Sequence, residues 1–246
     1  MAAGGDLLGL GVAVIGLGVG AQHALAYGST GLCQLRWVHD LDVEKARKMA
    51  VTLEADGVAE SYEQVLDDPD VQAVSIASYD DVHFDQVVAA LNAGKHVFVE
   101  KPLCETVDEL ETVKRAWWKH EGALKLSSNL ILRDAPIYRW LKQKIEDGDF
   151  GELYAFDGEY LYGRLQKITC GWRKNIQGYS VILGGAVHLV DLMLWLTGER
   201  PTEVYGAGNR ISTKNTEFRY MDYVTATLQS QSGLVSRITA NFGCVH

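Results

Sequence analysis

Val12-Ala13-Val14-Ile15-Gly16-Leu17-Gly18-Val19-Gly20-Ala21 is the stretch whose reading decides the fold. Its first four residues have no polar face, as expected of a central parallel strand covered by helices on both sides. The next six spell G-x-G-x-x-A, directly after that strand and directly before a helix read over Gln22 to Tyr27. Gly16 allows the tight turn, Gly18 lets the backbone approach a diphosphate, and a small side chain at Ala21 lets helix and strand pack closely. The helix N-terminus, reached through Val19 and Gly20, then turns unpaired N–H groups and a partial positive charge toward the phosphates. An acid is expected about 20 residues on, where it accepts hydrogen bonds from the adenine ribose. Asp40 stands 24 positions after Gly16, past a second strand, Leu35 to Val38. Its charge repels a 2′-phosphate and no Arg or Ser follows at once, which favours NAD over NADP.

The uncharged run Leu7 to Ala21 also invites a membrane or signal reading. It is shorter than the roughly 20 apolar residues a spanning helix needs, it is rich in glycine, and no Lys or Arg precedes it.

Strand and helix alternate onward from this nucleus. Asp42 to Leu53 is an amphipathic helix, and Ser61-Tyr62-Glu63-Gln64 is a capping box opening a short one that Asp67-Asp68-Pro69 stops. Ala73 to Ala77 reads as a strand, Phe84 to Asn92 as a helix ended by Gly94, and Val97 to Val99 as a strand. Thr106-Val107-Asp108-Glu109 caps a helix to about Lys119, and a further strand lies near Leu124 to Asn129. The alternation predicts a doubly wound parallel sheet, an NAD-binding Rossmann domain over residues 1–128. After it, Asp134 is expected to cap a helix to about Glu146. Four alternating stretches then follow: Leu153 to Tyr162, Thr202 to Ile211, Tyr220 to Gln229 and Leu234 to Phe242. With one apolar helix, Ala186 to Leu196, closed by Gly198, they make residues 129–246 an α+β domain on an open, mixed sheet.

Composition narrows the partners. Acidic residues outnumber basic ones 32 to 23, and the basic ones are scattered, so no cationic track for nucleic acid or anionic lipid is expected. Cys33, Cys104, Cys170 and Cys244 form no C-x-x-C pair, which points to a reducing cytosol. His23, His39, His83 and His96 show no metal-ligand spacing, and Cys104 has no evident base and is read as packing.

Gly94-Lys95-His96-Val97-Phe98-Val99-Glu100-Lys101-Pro102, with Ile76-Ala77-Ser78 and His83 upstream, resembles the Gfo/Idh/MocA family of sugar and inositol oxidoreductases along essentially the whole chain. The resemblance implies an active site between the two domains. It places Lys101, after Glu100, beside the nicotinamide and the substrate hydroxyl, with a Lys101-Pro102 bond of cis geometry. An amine there stabilises a developing alkoxide, and desolvation beside a cationic ring lowers its pKa. Gly184-Gly185-Ala186-Val187-His188 matches the family's segment leading to a histidine general acid or base, His188. Many members carry an aspartate four residues earlier, where this chain has Gly184; Asp191, at i+3, is expected to reach the imidazole in its stead. Tyr79-Asp80 stands where relatives show Pro-Asn, so Tyr79 lines either the nicotinamide side or the packing. Ala77, Ser78, His83 and Asn129 join the expected cofactor set. Tyr160, Tyr162, Arg164, Lys167, Trp172 and Arg173 suit a polyhydroxylated or carboxylated sugar.

The expected activity is hydride transfer between NAD(H) and a secondary hydroxyl or ketone of a sugar or cyclitol. Two rivals use the same fold: glycoside hydrolysis through transient oxidation, and dinucleotide sensing without turnover, which Gly184 encourages. Relatives of this kind continue through further strands, whereas this chain stops at Phe242-Gly243-Cys244-Val245-His246. A shortened chain or a sheet completed by a partner subunit is expected, and a homo-oligomer formed through the C-terminal sheet.

Overall fold

The computed structural model describes residues 9–244, so Leu7 and Leu8 of the apolar run and Val245-His246 at the end lie outside the described residues. It divides into two compact units, 1–129 and 130–246.

In the first unit β1 (Leu10–Ile15), β2 (Cys33–His39), β3 (Gly57–Val58), β4 (Ala73–Ile76), β5 (His96–Val99) and β6 (Leu126–Ser128) form one sheet in the order β3-β2-β1-β4-β5-β6. Every pairing in it is parallel. The helices α1 (Gly20–Ser29), α2 (Val43–Thr52), α3 (Tyr62–Asp67), α4 (His83–Asn92) and α5 (Val107–Trp118) connect these strands. β1 sits at the centre because it is apolar on both faces: Val12 to Ile15 are at most 1% exposed. Burying side chains of this size stabilises by about 1.5–3 kcal/mol each. The order reverses between β1 and β4, so the loops after these two strands flank the topological switch point, where ligands bind in open α/β sheets.

Local chemistry sets the helix starts. Asp42 caps α2 by accepting from Lys45 N at 3.0 Å. Thr106 and Glu109 close a reciprocal capping box on α5. The box at α3 is half formed, because Ser61 Oγ accepts from Gln64 N while the Gln64 side chain accepts from Glu60 N rather than Ser61 N.

The second unit begins with a short turn and α6 (Pro136–Glu146). Asp134 does not cap this helix: Ala135 occupies the N-cap, Pro136 pre-sets the first helical residue, and Asp134 pairs with Arg139. β7 (Ala155–Leu161), α7 (Gln166–Thr169), α8 (Val187–Thr197), β8 (Pro201–Asn209), β9 (Tyr223–Ser230) and β10 (Val235–Asn241) complete it. The sheet is mixed, in the order β7-β10-β9-β8, with β7 parallel to β10 and the other pairs antiparallel. Its covered face carries Tyr160, Ala240 and Val224, which pack with Leu189 and Met193 of α8. At Gly158 a Cβ would stand 3.3 Å from Leu189 Cδ1, so glycine lets α8 approach β7. The opposite face is polar, with Arg237 paired to Asp157 and Thr225 bonded to Thr239. Gly198, at φ +73°, closes α8 with its N–H on Leu194 O. No helix among the described residues is long and apolar enough to cross a membrane.

Candidate functional site

Residues 16–21 leave β1 and enter α1 through a turn that only glycine can make. Gly16 has φ +82°, and a Cβ there would lie 2.5 Å from the Ala77 carbonyl oxygen in the loop after β4. Gly20 is the tighter helix-to-strand contact: its Cβ would meet Ala77 Cβ and Val14 Cγ1 at 3.0 Å, so the close approach expected at Ala21 is centred one residue earlier. Around Gly18 nothing lies within 4 Å of a would-be Cβ, and no side chain caps α1 and no acid stands in its first turn. A bare loop running into an uncapped helix N-terminus fits the diphosphate of a dinucleotide.

Asp40 ends β2 and ties this loop in place. Its Oδ2 accepts from Leu17 N at 2.7 Å and from Lys45 Nζ at 2.9 Å, and its Oδ1 accepts from Asp42 N at 3.0 Å. A carboxylate offers about four lone-pair sites, so one on Oδ1 is left for a ribose hydroxyl. Burial would raise this carboxyl, but the bonds from Lys45, Asp42 and Leu17 outweigh it and hold it below the usual carboxylate range.

The strand ends of β4, β5 and β6 bring the remaining cofactor candidates together. Asn129 Nδ2 donates to Glu100 Oε1 at 2.6 Å, and His23 Nε2 lies 3.2 Å from the same oxygen. His23 Nδ1 lies 3.0 Å from Ser75 Oγ, so a chain of polar groups runs from buried β4 to the Glu-Lys-Pro motif. Burial pushes the Glu100 carboxyl up, yet the bonds from His23 and Asn129, with the charges of His23 and Lys101, bring it below its ordinary value. Glu100 is thereby an anion fixed beside Lys101, whose N–H it accepts at 3.3 Å. His83 is fully buried and bridges two loops: Nδ1 donates to Pro102 O at 2.7 Å, and Nε2 lies 3.3 Å from Ser78 O. The Lys101-Pro102 peptide is cis. Tyr79 is 45% exposed at the end of the same loop, and Ser78 Oγ donates to Gln86. Lys95 of the motif is structural, since its buried amine donates to Asp68 O and Val71 O.

The second unit gathers aromatic and cationic groups around His188. Tyr160 stacks on Tyr162 with centroids 5.3 Å apart, and His188 stacks on Tyr160 at 6.5 Å. Arg164 lies 5.5 Å from the Tyr162 ring centre and Arg173 4.2 Å from that of Trp172. Burial raises the Tyr160 hydroxyl, and Tyr162 adds to this, while Arg173 and Arg164 oppose it. The turn before α8 is wound more widely than an α-helix over Ile182–Ala186. Both its glycines are enforced by tyrosines: a Cβ at Gly184 would stand 2.1 Å from Tyr179 Oη, and one at Gly185 2.6 Å from Tyr160 Cε1.

Asp191 has a partner that the i+3 spacing does not reveal. Its two oxygens accept from Nε and a terminal nitrogen of Arg133, the first at 2.7 Å. A planar guanidinium matches both carboxylate oxygens at once, which one imidazole N–H cannot do. His23, Ser75, Arg133 and Tyr179 are the participants that sequence spacing does not reveal.

The first unit is thus a Rossmann sheet with a bare glycine loop after β1 and an acid at the end of β2. Residues 10–127 match the model described as an oxidoreductase family with an NAD-binding Rossmann fold, and residues 138–246 match the GFO/IDH/MocA C-terminal domain. The chain belongs to the Gfo/Idh/MocA family. It is 31% identical over 182 residues to a 1,5-anhydro-D-fructose reductase of Ensifer adhaerens, covering 72% of this chain and 52% of that relative. Among solved structures it is similar to a levoglucosan dehydrogenase in complex with NADH and L-sorbose, at 25% identity and TM-score 0.85, covering 96% of this chain and 68% of that one. A myo-inositol 2-dehydrogenase from Lactobacillus plantarum shares the fold at TM-score 0.89 and 22% identity, covering 97% of this chain and 71% of that one. The chain spans about half the length of the curated relatives it matches.

Proposed function

We propose that this chain transfers a hydride reversibly between NAD(H) and a secondary hydroxyl or ketone of a sugar, sugar derivative or cyclitol. The observation that carries the reading is the bare glycine loop tied to Asp40 in the same unit that fixes Glu100 beside Lys101. The names of the relatives, a reductase of an anhydro-ketose and a dehydrogenase holding NADH and L-sorbose, support the substrate class. The nicotinamide, when bound, supplies the hydride acceptor or donor. Asp40 selects NAD by its charge, orienting the ribose and opposing a 2′-phosphate. Lys101 stabilises the developing alkoxide oxygen, and Glu100 accepts from the Lys101 backbone N–H and places a negative charge beside it. The proton is assigned to Lys101 and His188. The exposed β8 strand and the polar open face of the second sheet support assembly into a homo-oligomer, and a monodisperse monomer in light scattering would count against it.

The test is a screen of keto sugars and cyclitols against NADH oxidation, with wild type and Lys101→Ala side by side. Wild-type turnover that falls at least a hundredfold in the variant is expected; equal turnover in the two removes the lysine's role.

A further inference from the structure

Between Glu159 and Asp191 the chain carries Arg164, Lys167, Arg173 and Lys174 and not one carboxylate, although the whole protein has a net charge of −9. That segment supplies the aromatic and cationic wall around His188. Some cations of the second unit are held by acids: Arg133 by Asp191, Arg237 by Asp157 and, within this segment, Lys174 by Glu217. Among the described residues neither Arg164 nor Arg173 has a carboxylate within 4.0 Å. Each instead lies over an aromatic ring, a contact that holds the guanidinium plane and leaves its edge N–H groups for an acceptor. Arg164 joins the His188 stack through Tyr162 and Tyr160, and Arg173 is carried on Trp172 of the same segment. Sugar hydroxyls are served by many groups, including the amides of this same segment, but two guanidinium edges with no carboxylate opposite them have the planar form that matches an oxyanion.

We infer that the sugar taken by the second unit is anionic, bearing a carboxylate or a phosphate ester that Arg164 and Arg173 recognise; this rests on the reading of the chain as a sugar oxidoreductase.

The test reads binding, so it does not depend on turnover. D-glucuronate, D-glucose 6-phosphate and D-glucose are titrated by calorimetry into the full chain with NADH present, for wild type and Arg164→Gln/Arg173→Gln. At least one anion is expected to bind tenfold or more tighter than glucose, with the preferred one naming the carboxylate or the phosphate. The preference should shrink as salt rises and vanish in the double variant. If that variant melts early, Arg164→Gln alone carries the comparison. Glucose binding as well as both anions, no binding of either anion, or an unchanged preference in the variant would each overturn the inference. An anion preference without NADH oxidation on any keto sugar would sink the oxidoreductase reading and leave only anion recognition by the two arginines, and turnover confined to neutral sugars would overturn the anionic inference and keep the oxidoreductase reading.

Discussion

Gly184→Ala tests whether the segment before His188 is built around Tyr179. The added methyl would stand 2.1 Å from Tyr179 Oη and 2.8 Å from Cζ, where ordinary contact begins near 3.4 Å. The tyrosine cannot swing clear, being 5% exposed and packed edge-on against Phe218 at 6.1 Å. Overpacking a site of this kind costs about 1–3 kcal/mol. For a chain of this length that lowers the melting temperature by about 2–12 °C. Tyr179→Phe removes the nearer atom and leaves the 2.8 Å contact, so relief is partial and the double variant should be about 0.5–3 kcal/mol more stable than the two single effects summed. Gly184→Asp, which restores the carboxylate many relatives carry, meets the same hydroxyl and should fare worse than alanine. Urea unfolding of wild type, both single variants and the double variant gives the cycle. Strict additivity, or a Gly184→Ala chain as stable as wild type, refutes the argument that Tyr179 excludes a side chain at 184.

Gly16→Ala places a Cβ 2.5 Å from a backbone oxygen at a left-handed φ, so it should lose at least about 2 kcal/mol of stability and most NADH affinity; retention of both in melting and fluorescence titrations contradicts the loop's described role. The depressed Glu100 carboxyl gives a pH signature. A lowered folded pKa stabilises above the unfolded value, about 4.3 for Glu, and that contribution is lost as pH falls through the folded value. Glu100→Gln should therefore be about 1–3 kcal/mol less stable than wild type at pH 5, with the gap closing as pH falls below the unfolded value. A gap in unfolding free energy that stays constant over that range argues against the network.

How much was legible in the sequence follows the range of the interactions. The β1-turn-α1 unit is local, and its strand, turn and helix and the Thr106–Glu109 box are legible because each depends on neighbours a few residues away. β3 escaped because two residues show no period. At α6 an acid looked like the cap, but Pro136 fixes the first helical residue and moves the cap to Ala135. The site residues that were missed are held by distant partners. Arg133 reaches Asp191 across 58 positions, a partner that no local spacing rule supplies. Nothing local in the sequence points His23 at Glu100, which lies against its ring. Gly184 read as a missing carboxylate, and only the fold shows that a tyrosine hydroxyl fills the space.

Titration of NADH into the chain, followed by nicotinamide fluorescence, measures the claim on which the rest depends. The wild type should saturate, and Asp40→Ala should bind at least about tenfold more weakly, since a charge-assisted bond is worth about 1.5–3 kcal/mol and each 1.4 kcal/mol is a factor of ten. A wild-type chain that shows no saturable binding, or an Asp40→Ala chain that binds as tightly as wild type, would contradict it.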